Sequence, residues 1–146
     1  MNRVTSAVQR PDPSKIIRPY GITIVPITYD PPISDPAELS TVTFPATHPD
    51  ICDLILQDEP PRRLSKLSQV PVLVVTGESG YHAHYDYATV EYLKQAGVQV
   101  EWVNLPDVGI KGNGHFMFME KNNYEIASIV HKWLLALEND SKTSSG

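Results

Sequence analysis

A histidine lies on a glycine-rich loop near the end of the chain, in the stretch GIKGNGHFMFME. Glycine reaches backbone conformations that strain other residues, so Gly109, Gly112 and Gly114 allow this loop to bring the imidazole of His115 close to another backbone. The four large apolar residues that follow predict a buried exit that fixes the loop. A mobile approach with a fixed exit is typical of a positioned general base. The same pattern also fits a structural, hydrogen-bonded histidine, which spacing alone favours.

Two carboxylates accompany a pair of histidines in an earlier stretch, GESGYHAHYD. A carboxylate beside an imidazole fixes its tautomer and stabilises the imidazolium ion, and Glu78 and Asp86 are the acids available here. Each also has an ordinary role, Glu78 as a surface residue and Asp86 as a helix cap. The H-x-H-x-D spacing of His82, His84 and Asp86 also fits a metal site, but three ligands in one short loop are a weak signal. No metal or other cofactor is therefore expected.

The sequence offers no well-placed nucleophile for such a base. A serine presented between a strand and a helix needs the turn G-x-S-x-G. Ser79 comes nearest, but Tyr81 stands where the second glycine is needed, so we interpret Ser79 as a loop residue. Cys52 is the one cysteine, and its ordinary role is a small buried apolar residue.

Composition limits the classes of protein that fit. The 146 residues are 41% hydrophobic and 20% charged, with a net charge of -5, as in a single soluble domain. The densest basic cluster, at Arg62, Arg63 and Lys66, is best interpreted as a solvated face, so no nucleic-acid partner is expected. One cysteine excludes an internal disulfide, residues 1–10 lack a signal-peptide core, and no run approaches the ~20 apolar residues of a membrane helix. These features predict a cytoplasmic protein with no membrane partner.

The elements that must position these residues begin near Val70. Eleven of the thirteen prolines precede that point, between residues 11 and 61, and disfavour regular structure there. Short helices are predicted only at His48–Gln57 and Pro60–Ser68, within an otherwise extended segment. The run VPVLVVTG then predicts a strand buried on both faces.

A repeating pattern of strand and helix follows that first strand. A helix is predicted at Asp86–Ala96, with Asp86 as its cap, a second strand at VQVEWVNL, and a helix at Asn122–Leu137 with a capping box at Asn122 and Glu125. The tail after Glu138 is polar and predicted to be disordered. This order is an α/β unit with two adjacent parallel strands. Working groups in such sheets lie beyond the carboxyl ends of the strands, which is where both candidate loops lie.

These residues together resemble a known family. The stretch from Val70 to Leu137 is similar to the C-terminal end of an α/β-hydrolase, with its last two parallel strands and flanking helices. The letters GNGH, then apolar residues and EKNN, are similar to the histidine loop of a bacterial and fungal group of that superfamily. The upstream RPYGITIVPITYDPPISDPAEL resembles the segment that joins cap to core in the same group. The resemblance implies four segments: a variable N-terminus (1–17), a proline-rich cap-derived segment (18–69), the βαβα core (70–138) and a disordered tail (139–146).

The resemblance also implies roles for individual residues. His115 matches the catalytic histidine, which accepts the proton of the nucleophile and returns it to the leaving group. The family's acid follows the penultimate strand or the strand before it. Its usual position, three after the glycine, is occupied by Gly80 here, which leaves Glu78 as the expected acid and Asp86 as the second choice. The nucleophile and the oxyanion hole have no counterpart.

The expected function is therefore that of a truncated α/β-hydrolase, inactive alone, with ester or lactone hydrolysis as its ancestral chemistry. Its substrate would be a small molecule, bound once the other half is present, and family analogy suggests secondary metabolism. Two alternatives remain. One is a non-catalytic binding or assembly module that associates through an exposed sheet edge. The other is a metal-dependent enzyme that uses His82, His84 and Asp86.

Overall fold

The computed structural model describes residues 18–143, which form two small sheets and two α-helices. The expectations for residues 1–17 and 144–146 lie outside the described residues. Four strands are present: β1 (Thr41–Phe44), β2 (Leu54–Gln57), β3 (Val72–Thr76) and β4 (Val100–Asn104). The helices are α1 (Asp86–Gln95) and α2 (Asn123–Thr143), and short 3-10 turns lie at Pro36–Glu38, Leu67–Gln69, Leu105–Val108 and Met117–Met119. The α/β class expected from the sequence is confirmed at this level.

The parallel strand pair predicted from the second half of the sequence is present. β3 and β4 pair in parallel from Val72 opposite Val100 to Thr76 opposite Asn104, and α1 forms the crossover between them. α1 packs against both strands, whereas α2 packs mainly against the turn Met117–Met119. The apolar positions of β3 are consequently half-buried, rather than buried on both faces as predicted.

The proline-rich half contains a hairpin where the sequence predicted helices. β1 pairs antiparallel with β2, from Thr41 opposite Gln57 to Phe44 opposite Leu54. The helix predicted at His48–Gln57 is therefore wrong, because its apolar residues are taken up by a strand whose partner lies earlier in the chain. A short apolar run does not distinguish strand from helix without that partner. The helix predicted at Pro60–Ser68 is also wrong, since only the 3-10 turn Leu67–Gln69 forms there.

The core joins α1 to the proline-rich segment. It consists of buried residues from both halves of the chain: Tyr29, Leu64, Tyr92, Leu93, Ala96 and Val98. The hydroxyl groups of Tyr29 and Tyr92 lie 2.8 Å apart, and the Tyr29 hydroxyl donates to the carbonyl of Tyr20 at 3.0 Å. Residues from the segment before β3 thus form part of the same core as α1.

The second helix differs from its prediction in length, cap and burial. α2 continues past Leu137 to Thr143, so residues 139–143 are helical rather than disordered. The carboxamide of Asn122 bonds that of Asn113, and the predicted capping box at Asn122 and Glu125 is not seen. Of the predicted apolar stripe, Ile126 is buried but Leu134 is 47% exposed. Neither α1 nor α2, within the part of the chain described, has the length and apolar character to cross a membrane.

Candidate active site

The two loops that follow β3 and β4 meet at the carboxyl ends of these strands. The backbone N–H of Ser79 donates to the carbonyl of Asn113 at 2.9 Å. The backbone N–H of Gly112 donates to a carboxylate oxygen of Glu78 at 2.7 Å. Gly77 lies so close to the second loop that an added Cβ would be 2.4 Å from the Asn113 carbonyl oxygen. The loops are therefore joined tightly, as the strand order predicts.

A cavity of about 280 Å³ lies between these loops. It is lined by residues of β3, both loops and α1: Val75, Gly77, Gly80, His82, Asp86, His115 and Met117. His115 and Asp86 thus line one cavity, and the imidazole beside the Asp86 carboxylate is that of His82. Glu78, the first choice from the sequence, does not line this cavity.

His115 is held between aromatic rings at the opening of the cavity. Its ring lies 4.7 Å from that of Tyr81, edge to face, and 4.1 Å from that of Phe116. The apolar exit predicted to be buried is instead open, since Phe116, Phe118 and Met119 are 55%, 64% and 76% exposed. This part of the prediction is wrong because α2, the main partner of the turn, covers only part of it.

Asp86 is the half-buried carboxylate of the site. It is the first residue of α1, and Tyr85 occupies the cap position that was predicted for Asp86. The Thr76 hydroxyl donates to Asp86 Oδ2 at 2.8 Å, and His82 Nδ1 lies 3.6 Å from Oδ1. Burial raises the pKa of the Asp86 carboxyl, and the Thr76 hydrogen bond and the charge of His82 oppose that rise. The carboxylate is thus oriented from two sides while its side chain is only 13% exposed.

Glu78 anchors a loop in this structure. Its side chain is exposed and its carboxylate accepts the hydrogen bond from the Gly112 backbone. Gly112 has a φ of +81°, a conformation that favours glycine. Glu78 therefore fixes the start of the histidine loop, and its assignment as the catalytic acid stays a prediction.

The three H-x-H-x-D residues do not meet at one point, because His84 lies apart from the pair formed by His82 and Asp86. His84 Nδ1 lies 2.8 Å from the carbonyl oxygen of Asp50, whereas His82 Nδ1 lies 2.7 Å from the hydroxyl of Tyr85. Residues 81–85 form a turn, so alternate side chains do not point the same way as they would in an extended segment. Within residues 18–143, no three histidine, cysteine or acidic side chains are arranged to hold a metal ion.

A larger cavity of about 660 Å³ lies between the β1–β2 hairpin and α1. Its walls combine apolar side chains, such as those of Ile22 and Ile51, with the charged side chains of Arg18 and Asp53, and Cys52 also lines it. Burial raises the pKa of the Cys52 thiol. Tyr85 lines this cavity too, and its hydroxyl bonds His82 of the smaller cavity, so one side chain contacts both.

Sequence reasoning missed a polar network behind His115. The side chains of Glu120 and Asn122 are each hydrogen bonded to the side chain of Asn113, which is only 1% exposed. The signal was present in the sequence as three polar residues placed around an apolar run. Which of them pair, however, depends on the fold of the loop.

Comparison with known proteins gives one curated relative. The chain is 53% identical over 118 residues to "Probable secreted lipase phiG" of Fungal sp. (strain ATCC 74256). The matched region covers 80% of this chain and 32% of that protein. The chain is related to a lipase. It spans about a third of the length of this relative. No protein-family model matches the chain, and no solved structure matches it.

The comparison corrects the expected location. The relative is named as secreted, which contradicts the cytoplasmic expectation and points to an extracellular location. The expectation rested partly on the single cysteine. That count excludes only a disulfide within this chain, and does not by itself decide the compartment.

Proposed function

We propose that this chain provides the histidine side of a serine-hydrolase site that cleaves carboxylic esters. The observation that carries the proposal is the cavity where His115 and Asp86 lie together at the carboxyl ends of β3 and β4. Kinship with a protein named as a lipase supports ester cleavage. The parallel βαβα unit is consistent with the last two strands of an α/β-hydrolase fold, which is the fold we infer.

The proposed chemistry needs a nucleophilic serine and oxyanion-hole donors, and no serine is among the described residues that line the cavity. We assign both to sequence equivalent to the two thirds of the relative that the chain does not span. His115 would accept the proton of the serine hydroxyl as its oxygen attacks the ester carbonyl. It would then give that proton to the departing alcohol, and a water molecule would release the acid in a second, equivalent cycle.

We propose Asp86 as the acid that orients His115. It lines the same cavity, whereas the Glu78 carboxylate is occupied by a backbone N–H of the histidine loop. A carboxylate in this role stabilises the imidazolium ion that forms when His115 takes a proton. Glu78 remains the alternative acid from the sequence, and the two are separated by substitution.

A chimera tests the proposal directly. The matched region of the relative would be replaced by the corresponding residues of this chain, and hydrolysis of a p-nitrophenyl ester measured. We expect His115→Ala to lower kcat about 10³-fold or more, and Asp86→Asn to lower it about 10²- to 10⁴-fold. His131→Ala, at an exposed position of α2, is the matched control. An active His115→Ala chimera would overturn the proposal. A large loss of kcat in Glu78→Gln, with Asp86→Asn unaffected, would show that Glu78 and not Asp86 is the acid.

The substrate proposal is limited to the bond that is broken. We infer an ester or lactone with an apolar part, because apolar side chains such as those of Ile22 and Ile51 form part of the wall of the larger cavity, which Tyr85 also lines. A role in secondary metabolism stays a prediction made by analogy.

A second candidate function is a non-catalytic assembly module. The observation that favours it is the exposed apolar surface made by Phe118, Met119 and Tyr124, the last 84% exposed. Large exposed apolar patches mark interaction sites in soluble proteins. Activity distinguishes this function from the first: a module of this kind would self-associate or bind a partner, and the chimera described above would show no esterase activity.

A further inference from the structure

We infer that Asn113, Glu120 and Asn122 form a polar clamp that positions the imidazole of His115. The inference rests on the proposed function for its catalytic meaning, but the clamp itself is a structural property of the chain. The three residues act through the loop backbone and do not line the cavity, so they are positioning residues.

Both N–H donors of the Asn113 side chain are paired, and its carboxamide oxygen accepts a further hydrogen bond. Its Nδ2 donates to Glu120 Oε2 and to Asn122 Oδ1, each at 2.7 Å. Its Oδ1 accepts from Asn122 Nδ2 at 3.0 Å. A carboxamide has two N–H donors, and here both are used inside the protein. A buried network with every donor used stabilises one arrangement over its alternatives.

The backbone on both sides of Asn113 is held as well. Its carbonyl oxygen accepts from the Ser79 N–H at 2.9 Å, which ties it to the loop after β3. The next N–H, that of Gly114, donates to Glu120 Oε1 at 2.7 Å. Glu120 therefore uses both carboxylate oxygens on the two residues before His115, and bonds to a charged acceptor are the stronger kind.

The clamp restricts the conformation of a loop whose glycines leave it flexible. Gly112 and Gly114 flank Asn113, and glycine restricts the backbone least of all residues. The contacts of His115 with Tyr81 and Phe116 are ring contacts, and both of those side chains are more than half exposed. The buried hydrogen bonds of the clamp are thus the firmest constraint on where the imidazole lies.

Asn122→Leu tests the clamp without changing the charge of the site. It removes both hydrogen bonds between Asn122 and Asn113 while keeping a side chain of similar size. Asn123→Leu is the matched control, because Asn123 is the next residue and its Nδ2 bonds only the exposed carbonyl of Phe118. In the 146-residue chain we expect Asn122→Leu to lower hydrogen-exchange protection of the Ser79 and Gly114 amides about 10-fold or more. The ring-proton signals of His115 should move toward unstructured values, and the control should leave all of these unchanged.

A purely structural role predicts a different result. In that case Asn122→Leu would lower the unfolding temperature while the His115 signals of the folded state stayed in place, and the inference would be overturned. Asn122→Ser, a smaller polar change, supplies the same readout if the leucine variant does not fold.

Activity in the chimera separates this inference from the proposed function. Asn122→Leu should lower kcat about 10-fold or more with KM little changed, because a displaced base affects the reaction more than ground-state binding. If His115→Ala left the chimera active, the proposed function would fail. The His115 ring-proton signals of the 146-residue chain would still show whether the clamp positions the imidazole.

Discussion

Asp86 lines the candidate site, and its charged carboxylate lowers the stability of the folded protein. Its carboxylate receives the Thr76 hydroxyl, and the Thr76 oxygen in turn accepts from the indole N–H of Trp102 at 2.9 Å. This chain of hydrogen bonds joins β4, β3 and α1 at the site. Burial nevertheless raises the pKa of Asp86, which means that the folded protein disfavours its charged form.

Asp86→Asn should therefore stabilise the protein at neutral pH. The folded carboxyl binds its proton more tightly than the unfolded one, so wild-type stability falls as pH rises from the ordinary pKa of 3.8 to the raised folded value. Above that window the loss is constant. The asparagine variant keeps an acceptor for Thr76 and does not titrate, so its advantage in unfolding free energy should grow across the window. Urea unfolding from pH 3.5 to 7 checks this, with the exposed Asp107→Asn as the control. An advantage that shrinks as pH rises would contradict the prediction.

The contact between α1 and the proline-rich segment depends on a directional pair of hydroxyl groups. Tyr29 donates to the Tyr20 carbonyl, so the shared hydrogen bond must be donated by Tyr92 to Tyr29. Both tyrosines are buried, at 2% and 3% exposure, and burial raises the pKa of each. Removing the Tyr29 hydroxyl would leave a buried donor without an acceptor, whereas removing the Tyr92 hydroxyl would not.

Tyr29→Phe should destabilise the protein more than Tyr92→Phe. The first change leaves the Tyr92 hydroxyl buried without its acceptor, at a cost of about 1–3 kcal/mol. The second leaves Tyr29 still bonded to Tyr20 and should cost about 1 kcal/mol or less. Free energies of unfolding from urea titration of both variants give the comparison. Equal costs, or the reverse order, would show that the donor direction is wrong.

The elements that were predictable are those whose signal is local. Apolar runs predicted the strands β3 and β4, and a helical spacing of apolar residues with a stop at Gly97 predicted α1. The rule for parallel strands then placed both candidate loops at one edge of the sheet. β2 was missed because its pairing with β1 depends on residues ten or more positions away.

The site shows the same division. His115 was identified from its loop, but the sequence could not show that Glu78 bonds Gly112 while Asp86 turns into the cavity. The partners of Asn113 likewise depend on how the loop closes. Local spacing therefore selected the candidate residues, and only the fold showed which of them line one cavity.

At the scale of the whole molecule, several large apolar side chains near the candidate site are exposed. Phe116, Phe118, Met119 and Tyr124 lie around the turn before α2, and Leu134 and Leu135 of α2 are 47% and 44% exposed. The related lipase is about three times as long as the region matched here. In the proposed function this surface is where the remaining hydrolase sequence packs, which places that sequence beside His115.

Taken alone, the 146-residue chain should self-associate through this surface. Apolar area removed from water stabilises association by about 25 cal/mol per Å², and Phe118 and Met119 are among the most exposed apolar side chains described. The double substitution Phe118→Ser with Met119→Ser should shift the chain toward monomer in sedimentation velocity across a concentration series. The matched control is Ile24→Ser with Val25→Ser, which removes side chains that are 70% and 58% exposed on the proline-rich segment. Because the attraction is apolar, added salt should not dissolve the assembly. A wild-type chain that remains monomeric at every concentration would show that this surface does not drive association.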